Sequence, residues 1–211
     1  YPRTLEQDCA LLADAGVDAV FHPSVEAMYP YGTQTCFVEP TALQALHCGE
    51  FRPGHFRGVA TVVTKLFNLV QPECAVFGKK DYQQLQVIEG MVRELNMPVQ
   101  VIGLDTLRAN DGLALSSRNG YLSETERAEA PRLYRTLQDI QTAVLAGTRD
   151  YARLGATAAA TLNAHGWQTD YIRIVDQAQL LPATPETKAL VVLAASRLGR
   201  ARLIDNLEIA L

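Results

Sequence analysis

The sequence predicts an α/β protein, with a parallel sheet and crossover helices followed by a smaller α+β module whose sheet is antiparallel. Three observations lead to that class. Short apolar runs at 18–21, 35–39, 75–77 and 99–102 alternate with stretches of helical periodicity, the grammar of parallel strands joined by helices. After Asn119 this alternation stops, and two Ala- and Leu-rich helical stretches precede three strand-like pieces, as in an antiparallel sheet with helices to one side. A chain of 211 residues, 48% hydrophobic and 20% charged, is also long enough to bury one large core or two modest ones.

Taken in order, Thr4-Leu5-Glu6-Gln7 has the form of a capping box opening a helix that Gly16 stops. Strands are expected at 18–21 and 35–39, with the turn-rich segment 28–32 between them. After Arg52-Pro53-Gly54-His55, the residues Val59, Val62, Val63, Leu66, Phe67 and Val70 repeat at the helical period, which predicts a buried-face helix over 56–70. A strand at 75–77, a helix marked by Leu85, Ile88, Val92 and Leu95, and a strand at 99–102 complete the first module. The boundary is placed near Thr106, giving domains 1–106 and 107–211. In the second, helices are expected at 124–146 and 151–165, the latter ended by Gly166, with strands at 169–175, 189–195 and 202–204.

Charge narrows the function. A net charge of −4 and an isoelectric point near 5.6 argue against a general nucleic-acid or membrane-surface binder, which carries excess Lys and Arg, so an anion site must be local. Cys9, Cys36, Cys48 and Cys74 are scattered, without metal-ligand or disulfide-framework spacing, as suits reduced thiols in a cytoplasm. The apolar run 189–195 is far too short to span a bilayer, and no secretory segment is visible. The chain begins Tyr1-Pro2-Arg3, so a processed or truncated product is expected.

Two stretches carry the chemistry. Gly78-Lys79-Lys80-Asp81-Tyr82-Gln83-Gln84 follows a predicted strand and precedes a helix, where parallel sheets place anionic ligands; Gly78 permits close approach and Lys80 offers a point charge. A structural alternative stands beside this, since Asp81 and Gln84 have the spacing of a capping box. The P-loop spacing is absent. Asp111-Gly112 leads a loop into Ser116-Ser117-Arg118-Asn119, which reads either as a turn or as hydroxyls and a guanidinium closing over phosphates, with Arg118 suited to bidentate contact. Arg52 and His55 make a weaker version of the same case, against a plain capping role. Asp8 fits a helix N-terminal acid as well as a metal ligand. A thiol–imidazole dyad of His47 and Cys48 is rejected, because sequence neighbours rarely form one and no third group orients it.

These residues resemble the pantothenate synthetase family. The matching stretches are Tyr1-Pro2-Arg3-Thr4, Arg52-Pro53-Gly54-His55-Phe56-Arg57-Gly58-Val59, Lys65-Leu66-Phe67, Phe77-Gly78 with Lys80-Asp81 and Gln83-Gln84, residues 111–121, and Arg202-Leu203-Ile204-Asp205-Asn206. They run in the family's order along nearly the whole chain. The resemblance implies a partial Rossmann-like first module and condensation of pantoate with β-alanine through a pantoyl adenylate, releasing pyrophosphate and then AMP. It implies that Lys80, Ser116, Ser117 and Arg118 hold the phosphates and carry the catalysis, that Gly78, Lys79 and Asp81 belong to the ATP site, and that Leu107 and Leu115 lend backbone to adenine. Gln84, with Arg52 and His55, is expected at pantoate, and Asp8 on the side of Mg2+. A homodimer is expected, with no nucleic-acid or membrane partner.

Two departures from the family stand out. Lys79 replaces a usual Glu, and Cys48 stands where an acid commonly precedes the Arg-Pro-Gly-His loop, with Glu50 nearby. The family's N-terminal strands and its His-x-Gly-His motif find no match in this chain. Loss of such electrostatic donors costs ~100- to 1000-fold in rate each, so this chain alone is expected to be weakly active or inactive. The other readings are a non-catalytic nucleotide-binding or scaffold fragment, and a related nucleotidyltransferase with another acid substrate.

Overall fold

A computed structural model describes residues 4–211, and it divides into residues up to Phe37 and Val38–Leu211. Tyr1-Pro2-Arg3, part of the expected family match, lies outside the described residues. The first unit holds α1 (Leu5–Asp14), which ends before Gly16 at φ +77°, and the single turn α2 (Val25–Met28). The expected capping box at Thr4 does not form: its hydroxyl donates to the Asp8 carboxylate at 3.2 Å and no side-chain cap closes the helix. Ser24 does cap α2, accepting from the Ala27 amide at 3.1 Å.

Neither 18–21 nor 35–39 becomes a strand. Apolar, β-branched composition favours extended backbone, but a strand also needs a partner edge for its amides and carbonyls. Among the described residues no strand pairing includes 18–21 or 35–39, and Val38 bonds the Thr61 hydroxyl at 3.0 Å.

In the second unit, α3 (Cys48–Phe51) leads through the Arg52-Pro53-Gly54 turn to α4 (His55–Val70). Gly54 precedes α4 at φ +75°, a left-handed conformation that costs a glycine little. The parallel pair β1 (Cys74–Gly78) and β2 (Gln100–Leu104) is joined by α5 (Tyr82–Glu94), in register from Cys74 opposite Gln100 to Gly78 opposite Leu104. Phe56, Ala60 and Phe67 of α4 meet Val87, Ile88 and Met91 of α5 over this pair. Each large side chain so buried contributes roughly 1.5–3 kcal/mol.

The expected helix 124–146 is two helices, α6 (Glu124–Glu129) and α7 (Arg132–Leu145), because Pro131 lacks an amide proton and interrupts the ladder. A capping box of Ser123 and Glu126 starts α6. Asp150 caps α8 (Tyr151–Ala164), accepting from the Arg153 amide at 3.1 Å. Then β3 (Gln168–Asp176), β4 (Ala189–Leu198) and β5 (Ala201–Ala210) form an antiparallel sheet in the order β3-β4-β5. The apolar run 189–195 is explained by its place as the central strand, buried on both faces. Leu137 and Ile140 of α7 and Leu162 of α8 cover one face of this sheet. The other face presents Tyr171, Val191, Leu193 and Ala195 to Tyr82 at the start of α5. That second contact brings β5 against the turn after β1.

Candidate active site

Between β1 and α5 the chain makes one tight turn, Lys79–Asp81, at the carboxyl end of a parallel strand. Gly78 precedes it with ordinary extended backbone, φ −78°, so no conformational demand explains the glycine. A Cβ there would meet none of the described residues within 4 Å, which leaves room for a ligand to approach the backbone. Asp81 precedes α5 without a side-chain cap, so the capping-box reading of Asp81 and Gln84 does not hold.

Six of the expected residues, Arg52, His55, Lys80, Asp81, Gln84 and Arg118, line one cleft of about 550 Å³, partly open to solvent. Ser116 lines an adjoining pocket that shares Lys80 with the cleft. Its hydroxyl accepts from the Arg118 amide at 3.2 Å and so shapes the turn Ser117–Tyr121, on which Ser117 is exposed. Leu107 and Leu115 face each other across a short hairpin, the Leu115 amide bonding the Leu107 carbonyl at 2.9 Å, and both side chains are exposed.

Two further expected residues have surroundings of their own. The Lys79 ammonium is held by Asp105 at 2.9 Å and Glu208 at 3.1 Å, and it does not line the cleft. Asp8 belongs to the first unit, where it is exposed and accepts from Thr4. No group of three or more His, Cys, Asp or Glu side chains suited to a metal occurs among the described residues.

The cleft is electrostatically unfinished. Lys80 and Arg118 make no ion pair within 4.0 Å among the described residues, and Asp81 is the acid that acts on Lys80 most strongly. Burial lowers the pKa of Lys80, and Arg118 lowers it further, against the pull of Asp81. Burial and then the Arg52 charge lower the pKa of His55, disfavouring its charged form. Its Nε2 accepts from Arg52 at 2.9 Å. Burial and then Arg118 likewise lower the pKa of Arg52. Like charges that depress one another are stabilised when an anion arrives. Point charge, guanidinium and hydroxyl donors together suit phosphate or carboxylate oxygens.

Sequence reasoning gave no role to Arg202, which also lines the cleft. Asp170 holds its Nε at 2.7 Å, while both terminal nitrogens lie 3.7 Å from the Cys48 sulfur, itself 3.0 Å from the Tyr171 hydroxyl. Cys48 therefore faces a guanidinium at the position where an acid is common. Glu50 does not replace that acid, being bound by Arg173 at 2.6 and 2.9 Å. His47 turns away to the Leu180 carbonyl at 2.8 Å, in keeping with the rejected dyad.

The family model described as Pantoate-beta-alanine ligase matches residues 1–208. Pantothenate synthetase of Chromobacterium violaceum is 59% identical over 209 residues, 99% of this chain and 76% of the relative. The same enzyme of Laribacter hongkongensis is 58% identical, with the same coverage. The chain belongs to the pantoate-β-alanine ligase family. It is an acid–amine ligase whose function is the joining of pantoate to β-alanine, as its resemblance implies.

The crystal structure of pantothenate synthetase from Thermus thermophilus superposes with a TM-score of 0.93 at 49% identity, covering 100% of this chain and 76% of that one. The α/β architecture, a small parallel sheet with helices plus a three-stranded antiparallel sheet, is thus the family fold. The Francisella tularensis ligase, solved in complex with beta-gamma ATP and beta-alanine, matches at TM-score 0.79 and 33% identity, covering 98% of this chain and 70% of that one. No helix among the described residues is long and apolar enough to cross a membrane.

Proposed function

We propose that the cleft binds ATP and pantoate and that ligation proceeds by adenylation of pantoate, followed by displacement of AMP by β-alanine. The observation that carries this reading is the convergence of Lys80 and Arg118, without ion-pair partners among the described residues, beside the Ser116 hydroxyl. Lys80, Ser116, Ser117 and Arg118 neutralise charge on the phosphates as pyrophosphate departs, and Gly78 and Asp81 sit at the ribose. The exposed hairpin at Leu107 and Leu115 lies at adenine. Gln84, Arg52 and His55 hold the pantoate carboxylate close to the α-phosphate. Lys79 supports the turn rather than touching the nucleotide, since Asp105 and Glu208 already occupy its ammonium.

ATP is supported by the Francisella complex. Magnesium is proposed to accompany it, because phosphates and water supply most of its ligands and one or two carboxylates suffice. The division at Thr106 into a nucleotide-binding and a C-terminal module is supported by the separate parallel and antiparallel sheets. A homodimer rests on the family resemblance, and a cytoplasmic location on four unpaired cysteines.

Pantoate-dependent exchange of labelled pyrophosphate into ATP tests the reading. Exchange that requires pantoate supports it, whereas exchange stimulated equally by unrelated hydroxy acids overturns the substrate assignment.

A further inference from the structure

Two consecutive polar residues of β5, Asp205 and Asn206, are 4% and 6% exposed, and they break the alternation of a strand otherwise packed through Leu203 and Ile209. Burying polar groups in a strand lowers stability unless each finds a partner. Here both do, and the partners are the two halves of the proposed ATP site. The Asn206 amide nitrogen donates one hydrogen to the Lys79 carbonyl at 2.8 Å and one to the Lys80 carbonyl at 3.0 Å. Asp205 receives Arg108 through two nitrogens, at 2.7 and 2.8 Å, and also accepts the Asn206 backbone amide at 2.8 Å. Arg108 in turn bonds the Gly112 carbonyl at 3.2 Å and lies 3.5 Å above the Tyr134 ring. It thereby fixes the hairpin that runs on into Ser116 and Arg118.

We infer that Asn206 is a positioning residue: by holding two successive carbonyls it sets the orientation of the peptide from which Lys80 projects. Its neighbour Asp205 fixes the opposing hairpin, so one step of β5 sets the distance between Lys80 and Arg118. This rests on the reading of Lys80 as a phosphate contact. A side chain whose backbone can rotate freely loses the near-attack geometry, and a displacement of about 1 Å can cost on the order of 100-fold in rate. Both residues border the cleft, but their polar groups are taken up by the chain itself, so Asn206 acts through the Lys80 peptide and Asp205 through the hairpin.

Titration calorimetry of this chain with ATP provides the test, as a double-mutant cycle of Lys80→Ala, Asn206→Ala and the combined variant. Asn206→Ala is expected to weaken ATP binding about tenfold. In that background Lys80→Ala is expected to cost much less than it does alone, because contacts acting as a unit are not additive. Ile209→Ala, which destabilises the same strand without touching the turn, should lower the melting temperature yet leave ATP affinity within about twofold. Should Asn206→Ala not fold, Asn206→Ser, which keeps one donor, takes its place in the cycle.

Losses that simply multiply, or a loss matched by Ile209→Ala, overturn the positioning role while leaving Lys80 in place. A wild-type chain that binds no ATP, or a Lys80→Ala variant that binds it equally well, overturns the phosphate reading and the inference with it.

Discussion

On one side of the turn after β1, the Lys79 ammonium rests between Asp105 and Glu208; on the other, Lys80 is half-buried beside Arg118 and Asp81 without an ion-pair partner among the described residues. The hydrogen bonds to Asp105 and Glu208 raise the pKa of the first lysine, while burial and then the charge of Arg118 lower that of the second. Adjacent residues of one type are thus tuned in opposite directions by what β5 and the neighbouring loops present to them. A cation whose surroundings already neutralise it holds the fold together. One kept half-buried beside other cations is stabilised when an anion joins it, and this is the ground on which Lys80 is proposed as the ligand-facing lysine.

The contrast is broken most directly by removing each lysine in turn. Lys80→Ala is expected to lower pyrophosphate exchange by ~100- to 1000-fold, the usual cost of losing one transition-state electrostatic contact. Lys79→Ala should change it by less than about threefold, as for a charge that touches no reacting group. Equal losses from the two substitutions would show that the turn works as a unit and that its two sides do not differ. Arg118→Lys, which keeps charge but loses the bidentate fork, should cost about tenfold in kcat/KM for ATP. No change on that substitution would reduce Arg118 to a point charge.

Much of this contrast lay beyond sequence reasoning, for reasons that particular residues make plain. The helix over 56–70 was legible because its apolar residues keep a 3.6-residue period, and β4 because a long apolar run fits only a strand buried on both faces. The strands expected at 18–21 and 35–39 failed because composition reports extended tendency and not the presence of a pairing edge. Pro131 was visible as a helix breaker, yet the Leu-rich pattern around it masked the break.

Of the residues that line the cleft, Lys80 could be expected there because a turn after a parallel strand is a recurrent anion site, whereas the expectation for Gln84 came from the family resemblance. The fate of Lys79 was not, because Glu208 lies 129 residues away along the chain. Arg202 and Asn206 fall within a stretch that matches the family, but only the contact of β5 with the turn gives them a role.

The smallest expected effect sharpens the structural side of the contrast. Lys79→Ala should cost about 0.5–1 kcal/mol of stability near neutral pH, the range of a partly exposed ion pair. Its dependence on pH follows from both partners. Glu208 is held below the ordinary 4.5 by hydrogen bonds from Lys79, Tyr82 and Gln177, which outweigh the opposing effect of its burial. A depressed carboxylate contributes stability that is present above its unfolded pKa and lost as the pH falls through its folded one. Lys79, raised above 10.5, contributes stability that is complete below that value and lost as the pH rises through its folded pKa. The difference in melting temperature between wild type and Lys79→Ala should therefore be widest between these limits and shrink on acidification below pH 4.5. A difference that persists unchanged in acid would mean that Lys79 stabilises the turn by packing its methylenes and not by its charge.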